Sequence, residues 1–405
     1  MEQHRVVITG LGIYSCLGST LDEVRDALYN GKSGIIFAPE RKAMGFRSAL
    51  TAKLVEPDLR KELSRSQRVF MPEQAKYAYC ATRDALRNAG IDQDYLNSHE
   101  VGLLYGNDSS TVPVVNAVDT MREKKDTTLC GSGAIFQSMN STVTMNLGCL
   151  FKLKGINLTV SGACASGSHA IGLGALLIQN GLQDMVVCGG AQEVNPWSVG
   201  SFDGISAFST RESEPEKACR PFDRDRDGLV PGGGAATVII ESYESAVRRG
   251  APIIAEVLGY GFSGNGDHIS SPNVEGPSRS LEMAIRRAGI NKAEIGYINA
   301  QSTHVGDTNE AKAIFNVFGD QKVEVTSTKS QTGHEMWMAG ASEVIYSILM
   351  MKNDFIAANL NFENPDEDSA KLLIPATRIE KHFDTFLSNS FGFGGTNSTL
   401  IVRNL

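Results

Sequence analysis

The sequence lacks the marks of several functional classes. It has no excess of positive charge: 38 Lys and Arg face 46 Asp and Glu, for a formal net charge of −8. That balance leaves no electrostatic footprint for nucleic acid or an anionic bilayer, so neither nucleic-acid binding nor membrane insertion is expected. The seven cysteines include no CxxC pair and no regular spacing. This argues against a disulfide framework or a zinc ribbon and fits a reducing compartment. No apolar run reaches the roughly 20 residues of a spanning helix. The start, MEQHRVVITGLG, lacks the charged-then-apolar form of a signal peptide. A soluble cytoplasmic protein is expected.

Nucleotide and metal signatures fail as well. Gly10-Leu-Gly12 follows a strand-like run, but Ser15 stands where a dinucleotide fingerprint needs its third glycine. There is no GxxxxGK[ST]. His334-Glu335 opens an HExxH motif that Met338 breaks. Asp223-Arg-Asp225-Arg-Asp227-Gly228 begins like a calcium loop, yet its twelfth position is Gly234 instead of a bidentate Glu. No metal and no organic cofactor is expected.

What is present is an ordinary globular composition, 41% apolar and 21% charged. Short Val/Ile-rich runs alternate with helical patterns: RVVITGLG (5–12), EVGLLYGN (100–107), DMVVCGGA (184–191), ATVIIES (236–242), IGYINA (295–300) and STLIVRN (398–404). Continuous apolar strands between helices predict an α/β protein with sheets covered on both faces. The chain also echoes itself. Ala85-Leu-Arg-Asn-Ala-Gly-Ile91 returns as Ala284-Ile-Arg-Arg-Ala-Gly-Ile290, each at a glycine-stopped helix end and each followed by a strand-like run. This element order predicts a duplication, with halves 1–250 and 251–405.

The chemistry centres on VSGACASGSHAIG, residues 160–172. Cys164 sits in a small-residue turn before a helix that is apolar around most of its circumference, and such a helix is buried. A thiol in its first turn meets the positive end of the helix dipole, which predicts a lowered pKa. Against this stands the plainer reading, a buried cysteine packing as a small hydrophobe. STKSQTGH (327–334) places Lys329 and His334 five residues apart before another apolar helix. SNSFGFGGTN (388–397) is a glycine-rich turn in which Gly394 and Gly395 permit close backbone approach to a substrate.

Together these segments, with FSTRESEPEKACRPFDRDRDGLVPGGGA (208–235), resemble the β-ketoacyl-acyl carrier protein synthases of the thiolase superfamily over nearly the whole chain. The resemblance implies a five-layered αβαβα thiolase fold of two duplicated halves. It implies a homodimer or a ketosynthase heterodimer, with an acyl carrier protein as partner. Substrates would arrive on that partner's phosphopantetheine arm. Cys164 would be the nucleophile. The backbone N–H groups of Cys164 and Phe393 would form an oxyanion hole, and Phe393 would also gate the acyl pocket. His334 would polarise a malonyl thioester. Lys329 and Glu343 would support the site, Asp307 and Glu310 would match a supporting acidic pair, and Thr303 would match a hydroxyl contacting the pantetheine arm. The stretches 106–116 and 132–142 would line the acyl pocket.

Two departures stand out. The family carries its first catalytic histidine in a motif of the form NAHGTSTPVGD. Here Asn299-Ala-Gln-Ser-Thr-His-Val-Gly-Asp307 is two residues shorter, with Gln301 in the histidine's place. After TGH, the family's small-residue run is replaced by EMWMAGA. Trp337 is expected to fill the space that the shorter loop vacates. Three readings of the altered motif follow. The Gln301 amide serves as the missing donor and condensation survives; the chain loads an acyl group without elongating it; or His304 swings into the vacated place, against the plainer and favoured reading of His304 as a solvent-facing loop residue. A partner subunit that sets chain length is a further alternative, disfavoured because Cys164, Lys329 and His334 all remain.

Overall fold

The computed structural model describes residues 3–302, 304 and 306–405. Ten strands form its main sheet: β1 (Val6–Tyr14), β2 (Gly102–Gly106), β3 (Asn157–Val160), β4 (Met185–Gln192), β5 (Gly234–Ser242), β6 (Ala255–Gly264), β7 (Tyr297–Asn299), β8 (Glu324–Thr326), β9 (Thr385–Gly392) and β10 (Thr396–Asn404). Their order is 8-7-9-10-6-1-5-4-2-3. Read outward from the middle, each half repeats one plan. β1 pairs antiparallel with β5, β5 antiparallel with β4, and β4, β2 and β3 run parallel. β6, β10, β9, β7 and β8 follow the same sequence of senses. The halves join where Val7 and Ile8 pair with Glu256 and Ala255.

Six helices complete the layers: α1 (Glu73–Asn88), α2 (Thr142–Phe151), α3 (Ser166–Gln179), α4 (Glu275–Ala288), α5 (Asp307–Phe318) and α6 (Ala339–Lys352). α1 and α2 cover the outer face of the first half, and α4 and α5 that of the second. α3 and α6 pack against each other and against strands of both halves, so they form the central layer. Three apolar cores match this layering, a central one and one under each outer helix pair. α6 is buried from Ala339 to Met351, as its all-round apolar sequence demands.

The repeated xAGI helix ends have one physical cause. A Cβ built on Gly12 would collide with the Ala81 carbonyl oxygen, and one on Gly261 with that of Ser280. Both strands let an outer helix settle directly on their backbone, and Ala85 and Ala284 occupy equivalent contacts. One element departs from expectation. Residues 388–392, read as part of a turn, are the end of β9. Ser388, Asn389 and Ser390 are fully buried there, in an interior strand.

Candidate active site

From the end of β3 the chain bends through Ser161 and Gly162 into a single 3-10 turn, Ala163–Ala165, and then into α3. Ala163 takes a left-handed conformation, φ 46°, which costs a residue with a Cβ on the order of 1–2 kcal/mol. Hydrogen bonds hold it there. One Asp108 oxygen accepts from the Ala163 N–H at 3.1 Å and the other from Ser161 Oγ at 2.6 Å. Ser166 Oγ accepts from the Gly162 N–H at 2.8 Å. The bend presents Cys164 at the mouth of a buried helix. Nothing in the sequence around Asp108 marks it for this part; only the fold brings β2's outgoing loop against the turn.

The expectation of a lowered thiol pKa is not met. Cys164 is 7% exposed, and burial pushes its thiol up to about 12, against the opposing pull of Lys329 and of its own backbone N–H. Desolvation of the thiolate outweighs the helix end and the cation. Cys164 therefore rests as a thiol.

His334 is buried, and the Met336 N–H donates to its Nδ1 at 3.1 Å. Burial, then Lys329, hold its pKa well below the usual histidine range. In the neutral ring that results, with Nδ1 accepting, the proton sits on Nε2. Lys329 Nζ is paired with Glu343 Oε1 and donates to Gln301 Oε1 at 3.2 Å. Burial raises Glu343 to about 7, with Lys329 opposing. Because Lys329 takes the oxygen of the Gln301 amide, the amide nitrogen turns to His334 Nε2, 3.4 Å away. Both nitrogens carry hydrogen, so neither satisfies the other. They are two donors facing one space, the arrangement that receives an oxyanion.

Glu310 anchors the Gln301 backbone. Its carboxylate accepts from the Gln301 N–H at 3.0 Å, from Asn389 Nδ2 at 2.9 Å and from Ser302 Oγ at 2.5 Å. Asp307 does not join it. Its carboxylate accepts from the Phe222 N–H at 2.8 Å and lies 3.7 Å from Arg226 Nε. Of the expected acidic pair, Glu310 thus holds Gln301, Ser302 and Asn389, and Asp307 reaches residues 222–226.

Cys164, Gln301, Ser302, Glu310, His334, Phe393 and Gly395 meet in the walls of one cavity of about 110 Å³. Lys329 and Glu343 stand behind it. Phe393 is 41% exposed, and its ring stacks on Phe202 with centroids 6.2 Å apart. Gly394 and Gly395 both have positive φ, 78° and 75°. They lock the loop to its neighbour, with Gly394 N–H donating to the Ile269 carbonyl at 2.7 Å and Asn265 N–H to that of Gly395 at 2.8 Å.

Four expectations are corrected or fall outside. Thr303 lies outside the described residues. His304 is not in the cavity wall; it is half-buried, its carbonyl accepting from Arg226 Nε at 3.4 Å, and Gln301 holds the position beside His334. Trp337 does not fill space near residues 299–306. Its indole N–H donates to Ser109 Oγ at 3.1 Å, in the other half of the molecule, and Met336 takes the place in the cavity wall. Neither 106–116 nor 132–142, expected to line the acyl pocket partly across a dimer interface, enters that wall within the single chain.

The N-terminal domain model of the β-ketoacyl synthases matches residues 3–246, and their C-terminal domain model matches residues 254–363. The chain belongs to the β-ketoacyl synthase family. Among relatives of this synthase, "3-oxoacyl-[acyl-carrier-protein] synthase 1" of Haemophilus influenzae is 40% identical over 404 residues, covering 98% of each chain. The protein of the same name from Escherichia coli K12 is 39% identical over 406 residues, covering 99% of each. A β-ketoacyl synthase structure from Burkholderia phymatum superposes with a TM-score of 0.94 at 35% identity, covering 99% of this chain and 100% of that one. The ishigamide ketosynthase/chain length factor gives 0.92 at 28% identity over the full length of both chains. The thiolase-type fold follows from these likenesses together with the topology.

Proposed function

We propose that this synthase loads an acyl group on Cys164 and condenses it with a malonyl thioester by decarboxylation, both groups arriving on acyl carrier protein in fatty-acid or polyketide synthesis. The observation that carries the reading is the Gln301 amide, turned by Lys329 so that its nitrogen stands beside His334 Nε2.

In the loading step the Cys164 sulfur attacks the thioester carbonyl carbon. The backbone N–H groups of Cys164 and Phe393 receive the oxyanion, the bond to the pantetheine sulfur breaks, and the thiol proton leaves on the departing thiol. In the second step the malonyl carboxylate leaves as CO2. Its bonding pair passes into the thioester enolate, whose oxygen the Gln301 and His334 donors stabilise. The enolate carbon then attacks the acyl carbonyl. The new carbon–carbon bond displaces the Cys164 sulfur, which takes a proton from solvent.

The partner is proposed to be a second ketosynthase chain, identical or related. β3 ends the sheet as an unpaired edge, with Leu158 exposed on it, and Leu129, Ile135, Phe136 and Met139 are exposed as well.

The test pairs intact-mass analysis after exposure to acyl-carrier protein with CO2 release from malonyl-carrier protein. A Cys164 adduct plus CO2 release is expected. An acylated enzyme that releases no CO2 is a non-elongating transferase, and no adduct at all means a partner subunit.

A further inference from the structure

The sulfur of Cys164 has two sides. In front lies the cavity bounded by Gln301, His334 and the glycine loop. Cys164 also packs into a small buried cluster with Met336 and Trp337, edged by Ala163, Phe202 and Leu229; Met336, Phe202 and Leu229 line the cavity as well, whereas Trp337 backs the sulfur without reaching the cavity wall. The indole is fixed at both ends. Its N–H donates to Ser109 Oγ, and Ser109 Oγ donates in turn to Glu193 Oε1 at 3.0 Å. Glu193 also accepts from the Thr111 N–H at 2.8 Å and from Asn195 Nδ2 at 2.8 Å. On the backbone side, Gly167 and Gly190 both press on the Trp337 carbonyl, and a Cβ at Gly190 would collide with it.

Moving the indole therefore breaks its part-buried hydrogen bond to Ser109, at about 1–3 kcal/mol if the N–H is left unsatisfied, and the close-packed backbone leaves no easy shift. The cavity in front of the sulfur is itself small: its 110 Å³ is less than the roughly 150 Å³ of an apolar cavity that holds one benzene.

We propose that Trp337 is the specificity-determining residue of the acyl site, walling off the space behind the Cys164 sulfur so that only short acyl groups, a few carbons long, are carried there. This rests on Cys164 accepting acyl groups as set out above, by the same balanced exchange of one thioester for another. The sequence already marks the position, because a bulky side chain replaces the small-residue run that follows TGH in the family pattern.

The test loads the full-length protein with acyl-pantetheine thioesters of two, four, eight and twelve carbons and reads the Cys164 adduct by intact mass over time. The wild type is expected to favour the two- and four-carbon groups over the twelve-carbon one by at least about tenfold, since even one misfitting methylene costs about 10–200-fold in an apolar pocket. Trp337→Ala is expected to raise the twelve-to-two-carbon ratio by about tenfold or more. Trp337→Phe, which keeps the apolar filling but loses a ring and the N–H, is expected to raise it less, and it decides the matter if the alanine variant does not fold. A wild type that loads all four lengths equally, or a ratio unchanged in both variants, overturns the role of Trp337 while leaving acyl loading intact. No adduct with any thioester overturns the loading reading and this one together.

Discussion

Gln301→Ala removes one of the two donors that face the enolate site and little else. The Gln301 N–H keeps its bond to Glu310, and Lys329 keeps Glu343, so the loop and the buried ion pair remain in place. Losing one donor to a developing oxyanion costs about 10²–10³ in kcat, or about 2.7–4 kcal/mol. That loss should fall on decarboxylation alone. In the proposed mechanism acyl loading uses a different hole, formed by backbone N–H groups that the substitution does not touch. The assay is therefore split. Enzyme acylated in advance is mixed with malonyl-carrier protein and CO2 is timed; loading is timed separately by intact mass. CO2 release should fall by about 10²–10³ while loading changes little. Gln301→Glu should be worse, because a carboxylate would accept from Lys329 and His334 and occupy the place of the enolate oxygen with charge of the wrong sign. If Gln301→Ala releases CO2 at the wild-type rate, the amide is not the donor. If loading falls as far as CO2 release, Gln301 only holds the site together.

Other substitutions test the surrounding supports. Asp108→Ala frees the Ala163 N–H at a left-handed turn and leaves Ser161 without its acceptor; acyl loading should slow by about tenfold and stability fall by about 1–3 kcal/mol, measured by mass spectrometry and urea unfolding. Unchanged loading would mean that the turn holds its shape without Asp108. Lys329→Met leaves Glu343 buried without its cation and should cost about 3–5 kcal/mol of stability, unless Glu343 takes up a proton, in which case the loss shrinks as pH is lowered. Glu335 is buried under hydrogen bonds from Ser342 and Tyr346, and burial raises its pKa to about 8. Its unfolded pKa is about 4.3, so between these values the folded chain holds a proton that the unfolded chain has lost. Stability from this group is complete below about pH 4 and is lost as pH rises to about 8, with a slope of up to about 1.4 kcal/mol per pH unit. Glu335→Gln should flatten that slope in urea titrations at about pH 5 to 8; an unchanged slope would show that Glu335 stays ionised.

How much of this was legible in the chain follows from the range of each interaction. The α/β class and the duplication could be read because apolar strands and xAGI helix ends are local patterns with local causes, the glycines that seat Ala85 and Ala284 among them. β9 was misread because its Ser-Asn-Ser segment looks like surface. Of its polar side chains, Asn389 donates to the buried Glu310, whereas the Ser388 and Ser390 hydroxyls have no hydrogen-bond partner among the described residues. Cys164, Lys329 and His334 could be placed by motif. The thiol pKa could not, because the helix-end effect is written in the neighbouring residues whereas burial is a property of the whole fold.

The two departures show the same limit from opposite sides. Gln301 was visible as a missing histidine, but the direction of its amide is set by Lys329, 28 residues on. Trp337 was visible as a misplaced bulk and was assigned to the wrong wall, because its partner Ser109 lies 228 residues away. These two positions divide the site's work. On the proposed mechanism, Gln301 faces the pocket where the enolate forms, and Trp337 the space where an acyl chain would lie. A substitution at one should leave the other's readout unmoved. The double variant Gln301→Ala/Trp337→Ala should therefore show the CO2 defect of the first and the chain-length shift of the second, as independent sites do. If instead the chain-length shift vanishes when Gln301 is lost, the front and back of Cys164 form one pocket, and the division of labour between the two departures fails.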